Sequence, residues 1–443
     1  MRKLIFALAI LGAIMLKVGG GAWWIADNWG YTNITNGSND GKNYGYSVPA
    51  IAIGDADNDG LNETVIGYKN GTYELRMYEY SSGTWTETNI TDETSGIYAV
   101  AIGDVNNDSK NEIVIGMQND SLSLDGNSIR IYENKSGGWI ETNISTISRD
   151  VTVIALGYAS NKGINGIMAG FTNTSSDGYN VKFYDNVSGG WRENNVSNNP
   201  YSVAGVAVGN GDSVAGNETY VGFVNSPNGL KMYKNTTGKW VETNISKIDI
   251  TNQTWPTTTS NLLIKDVDNN GKQEIVMGMS YNDGYTVINQ VKNYYNIVSS
   301  VWIATVMAGG LTYMPSSIGV GDYYGNGRNA TVYKYSTFNI IGITNSSTFW
   351  QQTLIGVDSS GVMANALQVA DINDDGKKEI IMGGSLYSQP YNVYSVLEYH
   401  YITPATGGVA ATDLFCVALG KNKRFCSGNG NDYLCIKDNC VVI

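Results

Sequence analysis

Four loops in this chain set oxygen-bearing side chains at a spacing that suits a hard cation. The first holds Asp55, Asp57, Asp59 and Glu63, and the second Asp104, Asn106, Asp108 and Glu112. The others hold Asp266, Asp268, Asn270 and Glu274, and Asp371, Asn373, Asp375 and Glu379. Each places its oxygens at positions one, three, five and nine, with a backbone carbonyl at seven as a further donor. A turn-forming glycine stands at position six as Gly60, Gly271 and Gly376, and Ser109 replaces it in the second loop. An all-protein, flexible oxygen cage suits calcium better than magnesium, which keeps its waters. Zinc would ask for nitrogen or sulfur ligands. An Asx-rich turn without metal is the plain alternative. Four copies of crowded carboxylates make it costly, so about four calcium ions are expected.

Three further loops at equivalent places have lost the pattern. The third offers Tyr158, Ser160 and Lys162, the fourth Asn210, Asp212 and Val214, and the sixth Asp322, Tyr324 and Asn326 followed by Ala330. No calcium is expected in the third or fourth, and the sixth is left open.

The elements that carry these loops are strands. An EF-hand loop runs about twelve residues between helices, whereas here Ala52, Ile53 and Gly54 precede the loop and Thr64, Val65 and Ile66 follow it. A second signal alternates with the loops, a tryptophan opening a short polar strand: Trp29, Trp85, Trp139, Trp191, Trp240, Trp302 and Trp350. The period is about fifty residues, with four strands per unit, which describes a propeller blade. The series opens on a tryptophan and closes on a loop. The fold expected is therefore all-β: a seven-bladed β-propeller over residues 23–400, whose N-terminal segment supplies the outer strand of the last blade and leaves no open edge. Apolar first and second strands and a polar fourth predict burial that falls outward along each blade. The tryptophans read as packing between blades.

With these residues in view, the chain resembles the FG-GAP repeats of the integrin α-subunit head and related bacterial and archaeal surface proteins. The resemblance rests on the D-x-D/N-x-D/N-G-x-x-E loops that follow A-I-G-D-like strands, and covers about residues 23–400. It implies a seven-bladed propeller with calcium in the loop between the first two strands of a blade, and a role in adhesion or assembly. The eponymous Phe-Gly and Gly-Ala-Pro elements are not intact here, and three loops are degenerate.

The ends of the chain read differently. Arg2 and Lys3 precede an apolar run over residues 4–16 and small residues to 22, as in a secretory signal peptide (1–22). The run falls short of the roughly 20 residues that span a bilayer, so the expected location is extracellular, associated with a cell surface. Residues 401–443 form a small C-terminal module with all four cysteines, Cys416, Cys426, Cys435 and Cys440. In an oxidising compartment these are expected as two disulfides, with three pairings open. N-x-S/T acceptors recur after the tryptophan strand (Asn33, Asn89, Asn143, Asn195, Asn244) and in the turn before it (Asn134, Asn186, Asn235), which suggests a glycoprotein.

Charge and composition narrow the function. The net charge is -12, which argues against nucleic acid. The single histidine, His400, leaves little for His-dependent catalysis. The leading expectation is a non-catalytic secreted scaffold or adhesin, self-associating into a layer or fibre or binding other extracellular proteins. A lectin is the alternative, with Tyr68, Tyr73, Tyr179, Tyr281, Tyr285, Tyr387 and Tyr391 as stacking platforms. A polysaccharide lyase or hydrolase is the less favoured one.

Overall fold

The structure, a computed structural model, describes residues 24–442 except 26–28, 35–46, 70–73, 92–94, 119–127, 137, 146, 148, 160–162, 164, 173–177, 227, 247–257, 283–285, 299–300, 336–338, 346–348, 358–362, 389–390, 402–414, 421–422, 429–430 and 437–438; beyond 383 it describes backbone only. The expected signal peptide lies outside these residues. The chain divides into two units, Met1–His400 and Tyr401–Ile443.

Every regular element among the described residues is a strand. In the first sheet Ser47–Gly54, Glu63–Lys69, Leu75–Ser81 and Thr84–Thr91 pair antiparallel in chain order. The same four-stranded meander recurs in the second sheet (Ile97–Gly103 to Gly138–Asn143), the third (Val151–Gly157 to Gly190–Ser197) and the fourth (Val203–Gly209 to Lys239–Asn244). The fifth runs from Thr258–Lys265 to Val301–Leu311 and the sixth from Pro315–Gly321 to Trp350–Val357. Six blades are thus complete in continuous sequence, one fewer than the tryptophan count predicts. The remaining three strands of this unit, Met363–Ala370, Glu379–Ser388 and Tyr391–Tyr401, pair with one another. Trp29–Asn33, from near the N-terminus, joins them outside Tyr391–Tyr401. Just before it, Trp24–Ile25 adds to the sixth sheet as a fifth strand, with Trp24 opposite Val357 and Ile25 opposite Gly356. The repeat pattern gave no sign of that addition.

The first strands of successive sheets pack side by side, and Met363–Ala370 packs back against Ser47–Gly54. This unit is a β-propeller. Its burial corrects one expectation: the second strand of a blade, rather than the first, is the driest. Glu112–Met117, Gly166–Phe171 and Glu218–Phe223 are buried throughout, whereas Ile97–Gly103 and Val151–Gly157 are largely half-buried. The second strand has a strand on each side and a blade against each face, while the first is the inner edge of its sheet. The fourth is the most exposed, as in Gly138–Asn143.

Apolar clusters fill the spaces between blades. Val65 and Met77 of the first sheet meet Ile97, Ile113 and Tyr132 of the second, with Trp139 packed against them. Trp191, Trp240, Trp302 and Trp350 occupy the equivalent place against their preceding blades. Glycine in the second strand permits the close approach: a Cβ on Gly116 would lie 2.4 Å from Val151, and one on Gly170 2.4 Å from Val203. On the outer strand, the glutamate two residues after the tryptophan is a tether. Glu87, Glu141, Glu193 and Glu242 accept the hydroxyls of Tyr78, Tyr132, Tyr184 and Tyr233 at 2.9–3.3 Å. Gln352 takes the same place with Tyr333.

In the C-terminal unit Phe415–Gly420, Lys423–Gly428, Asn431–Ile436 and Asn439–Val442 form a separate four-stranded meander.

Candidate metal centres in the strand-connecting loops

The loop at 55–63 turns between the two innermost strands of the first blade, and its own side chains hold the turn. Asp55 accepts the amide of Gly60 at 3.1 Å, Asp57 that of Asp59, and Asp59 that of Leu61. Ala56, at position two, is buried and pins the loop to the core. Its amide donates to Glu63 Oε2 at 2.7 Å. The other oxygen, Glu63 Oε1, is buried with no partner, and so is Asp55 Oδ1. A buried carboxylate oxygen left unsatisfied is expensive, and a cation among these oxygens would satisfy both. Without one, burial pushes the Glu63 carboxyl up to about 7, helped by Asp57 and Asp59.

The second and fifth loops repeat this construction. Val105 and Val267 donate to Glu112 and Glu274 at 2.9 Å, and burial raises both carboxyls to about 7. Three carboxylates converge within 4.8 Å in each of three loops: Asp55, Asp57 and Glu63; Asp104, Asp108 and Glu112; Asp266, Asp268 and Glu274. In two of these an asparagine amide stands among the acids. Asn106 Nδ2 donates to Glu112 and Asp108, and Asn270 Nδ2 to Asp268 and Glu274. Rotating either amide by half a turn presents its oxygen instead, as a metal ligand requires. These residues fit a hard cation. Ser109 does not spoil the second loop, because it adopts the left-handed φ of 70° that Gly60 and Gly271 supply elsewhere. The seventh loop keeps the turn, with Asp371 accepting from Gly376 and Glu379 from Ile372. Asp371 Oδ1 is buried and unpartnered, yet no carboxylate triad converges there.

Positions four and eight escaped the sequence reading, and they tie neighbouring loops together at four junctions. Asn58 Oδ1 accepts the amide of Asn111 at 2.6 Å, Asn58 Nδ2 donates to the Asn111 carbonyl, and Asn111 Nδ2 donates to the Asp55 carbonyl at 2.8 Å. Asn107 and Asn165 clamp the second loop to the third, and Asn269 and Asn329 the fifth to the sixth. Asp374 and Asn62 do the same between the seventh and the first. The position-four residue has positive φ in all four cases, which asparagine and aspartate tolerate better than most. The available sequence signal was asparagine recurring at position eight, as Asn62, Asn111, Asn165 and Asn329, whether or not an acid follows.

The three degenerate loops have distinct replacements. In the third, Gly166 takes the place of the acid, and a Cβ there would lie 2.4 Å from the Phe183 ring. The sixth keeps Asp322 accepting from Asn326 and Gly327, but Ala330 replaces the acid. Its Tyr323 and Tyr324 rings lie 5.8 and 5.7 Å from Trp29, so the loop anchors the N-terminal strand. The fourth retains Glu218, fully buried, which the sequence reading overlooked. Lys234, on the adjacent strand, approaches Glu218 at 2.9 Å and Asp212 at 3.4 Å. An ammonium sits beside the acids, where the intact loops gather three carboxylates and, in two of them, an asparagine amide.

Among the tyrosines proposed as sugar platforms, Tyr68 is buried against Tyr78 and unavailable for stacking. Tyr281 is half-buried with Lys292 over its ring. Tyr179 is half-buried, and Tyr73 and Tyr285 lie outside the described residues. The side chains of Tyr387, Tyr391 and His400 lie outside them too, as does that of Asn33. Asn89, Asn143, Asn195 and Asn244 are exposed. Asn134, Asn186 and Asn235 are half-buried; Asn186 and Asn235 accept from Gly189 and Gly238, which closes the turn before the tryptophan. Asn373 accepts the amide of Asp375, and Asp375 that of Lys377, so both serve the turn.

No helix among the described residues is long and apolar enough to cross a membrane. Comparison with curated proteins returns no match. Residues 55–115 match the model of the FG-GAP-like repeat family, a stretch that opens on the first candidate loop and contains the second. Together with the sheets described above, this match supports a β-propeller built on FG-GAP-like repeats.

Proposed function

We propose that this chain is a secreted, calcium-stiffened propeller that serves as a non-catalytic extracellular scaffold or adhesin. The observation that carries the calcium reading is the convergence of carboxylates in three equivalent loops, with Glu63 Oε1 buried and unpartnered in one of them. In this reading Trp29–Asn33 completes the last group of strands, and the ring has seven blades like the integrin α-subunit head. Calcium binds the first, second, fifth and seventh loops. Exposed sequons at Asn89, Asn143, Asn195 and Asn244 carry glycans on the outer strands.

The scaffold part follows from where the molecule invests its polar chemistry. The clamps, tyrosine–glutamate tethers and loop acids all hold strands and blades together. A surface protein of this kind works through its partners, so the test is association. Native material imaged by electron microscopy, with solution mass measured at matched calcium, should show a layer, a fibre or a defined oligomer. A monodisperse monomer at all concentrations, paired with selective binding on a glycan array, would replace the scaffold with a lectin.

A further inference from the structure

The C-terminal unit carries one cysteine on each of its four strands, and its backbone register selects among the three pairings. Cys416 lies directly opposite Cys426, and Cys435 directly opposite Cys440. Directly opposed residues on antiparallel strands carry Cβ atoms about 4.5–5.5 Å apart on one face of the sheet. That needs only a small approach to reach disulfide geometry. Ile436 opposite Asn439 closes the last hairpin across a two-residue connection. In such hairpins the closing pair exchanges hydrogen bonds and the next pair outward approaches more closely. Cys435 and Cys440 are that next pair.

The other two pairings fail on distance. Cys416 with Cys435, or Cys426 with Cys440, joins strands separated by an intervening one. Two inter-strand spacings put those Cα atoms about 9.5 Å apart, beyond the ~7 Å limit for a disulfide. Cys426 with Cys435 joins neighbouring strands, but Cys426 faces Tyr433 and Cys435 faces Arg424. That two-residue offset stretches the Cα separation to about 8 Å. The same pairing would also leave Cys416 to reach Cys440 across the whole sheet.

We infer that the module is closed by Cys416–Cys426 and Cys435–Cys440, each disulfide stapling one hairpin. The inference rests on the proposal that the chain matures in an oxidising compartment, and is independent of calcium. Each bond forms as two thiols give up two electrons and two protons to an external disulfide, which is reduced to a dithiol. Beyond the continuous chain, pairing between Lys423–Gly428 and Asn431–Ile436 joins the two hairpins. The module is made of two locally stapled hairpins, so losing one disulfide leaves the other in place.

Peptide mapping decides it. The full-length secreted protein is alkylated without reduction, cut with trypsin, and cut again on the N-terminal side of aspartate. Cleavage before Asp432 and Asp438 separates all four cysteines. The expected products join the Cys416 peptide to 425–431 and peptide 432–437 to 438–443. Any other joined pair overturns the register argument, and alkylated cysteines in unreduced protein overturn the oxidised reading itself. A Cys416→Ser/Cys426→Ser variant supplies a second readout: it should retain the Cys435–Cys440 bond, and scrambled or lost bonding there would count against independent hairpins.

Discussion

Glu63 is held between two demands: its Oε2 secures the Ala56 amide, while its Oε1 is buried with no donor. Replacing it by glutamine keeps an oxygen for the amide and removes the charge. Glu63→Gln should therefore fold and lose about one calcium equivalent, because a loop of this kind draws its affinity from charged oxygens. Elemental analysis after dialysis is the measurement, and unchanged stoichiometry would remove the first loop from the metal-binding set. The opposite solution operates at Glu218, where Lys234 supplies the positive charge from within the chain. Burial raises the Glu218 carboxyl to about 7 despite that partner. Lys234→Met strands a buried acid, at a cost of up to about 3 kcal/mol, lessened because Glu218 can take up a proton. Denaturant unfolding should show the loss while calcium stoichiometry stays constant. Equal stability would mean that the lysine is only a surface group.

Among the elements, the loops matter to one another through their clamps. Asn58 fixes the backbone at Asn111, the residue before Glu112. Asn58→Gly keeps the positive φ accessible and deletes the clamp, leaving the half-buried Asn111 amide unsatisfied. The expected cost is about 2 kcal/mol for two hydrogen bonds and an orphaned group, together with weaker calcium binding in the second loop. Denaturant unfolding checks the first and calorimetric titration with calcium the second, and wild-type behaviour in both would show that the loops act separately. The strand Trp29–Asn33 makes an equally specific claim. Deleting residues 23–35 removes the outer partner of Tyr391–Tyr401 and the Trp29 contact with Tyr323 and Tyr324. The exposed edge should then cause aggregation or failed secretion, as read by solution mass. A soluble, equally stable deletion would show that the edge is protected by other means.

At the scale of the whole molecule, much of the architecture could be read from residue order. Asp-rich loops between apolar runs marked the two inner strands of each blade. The tryptophans marked the outer ones, and a series that starts and ends on half-units pointed to the N-terminal strand. What escaped the sequence was relational. Asn58 and Asn111 are more than fifty positions apart and meet only because blades stand side by side. Lys234 matters to Glu218 through strand pairing, and Tyr68 is half of a buried pair rather than a surface ring. The greater dryness of second strands depends on which strand is an edge, a property of the closed ring.

Cations bound in these loops should hold the ring together. Each saturated site should add about 2.7 kcal/mol of stability at a hundredfold excess of calcium over its Kd. The decisive measurement is thermal unfolding of the mature protein with saturating calcium and with excess chelator, paired with elemental analysis. The predicted result is a melting temperature many degrees lower in chelator, with roughly four calcium equivalents in the loaded protein. A melt that does not move, in protein that carries no metal, would contradict it.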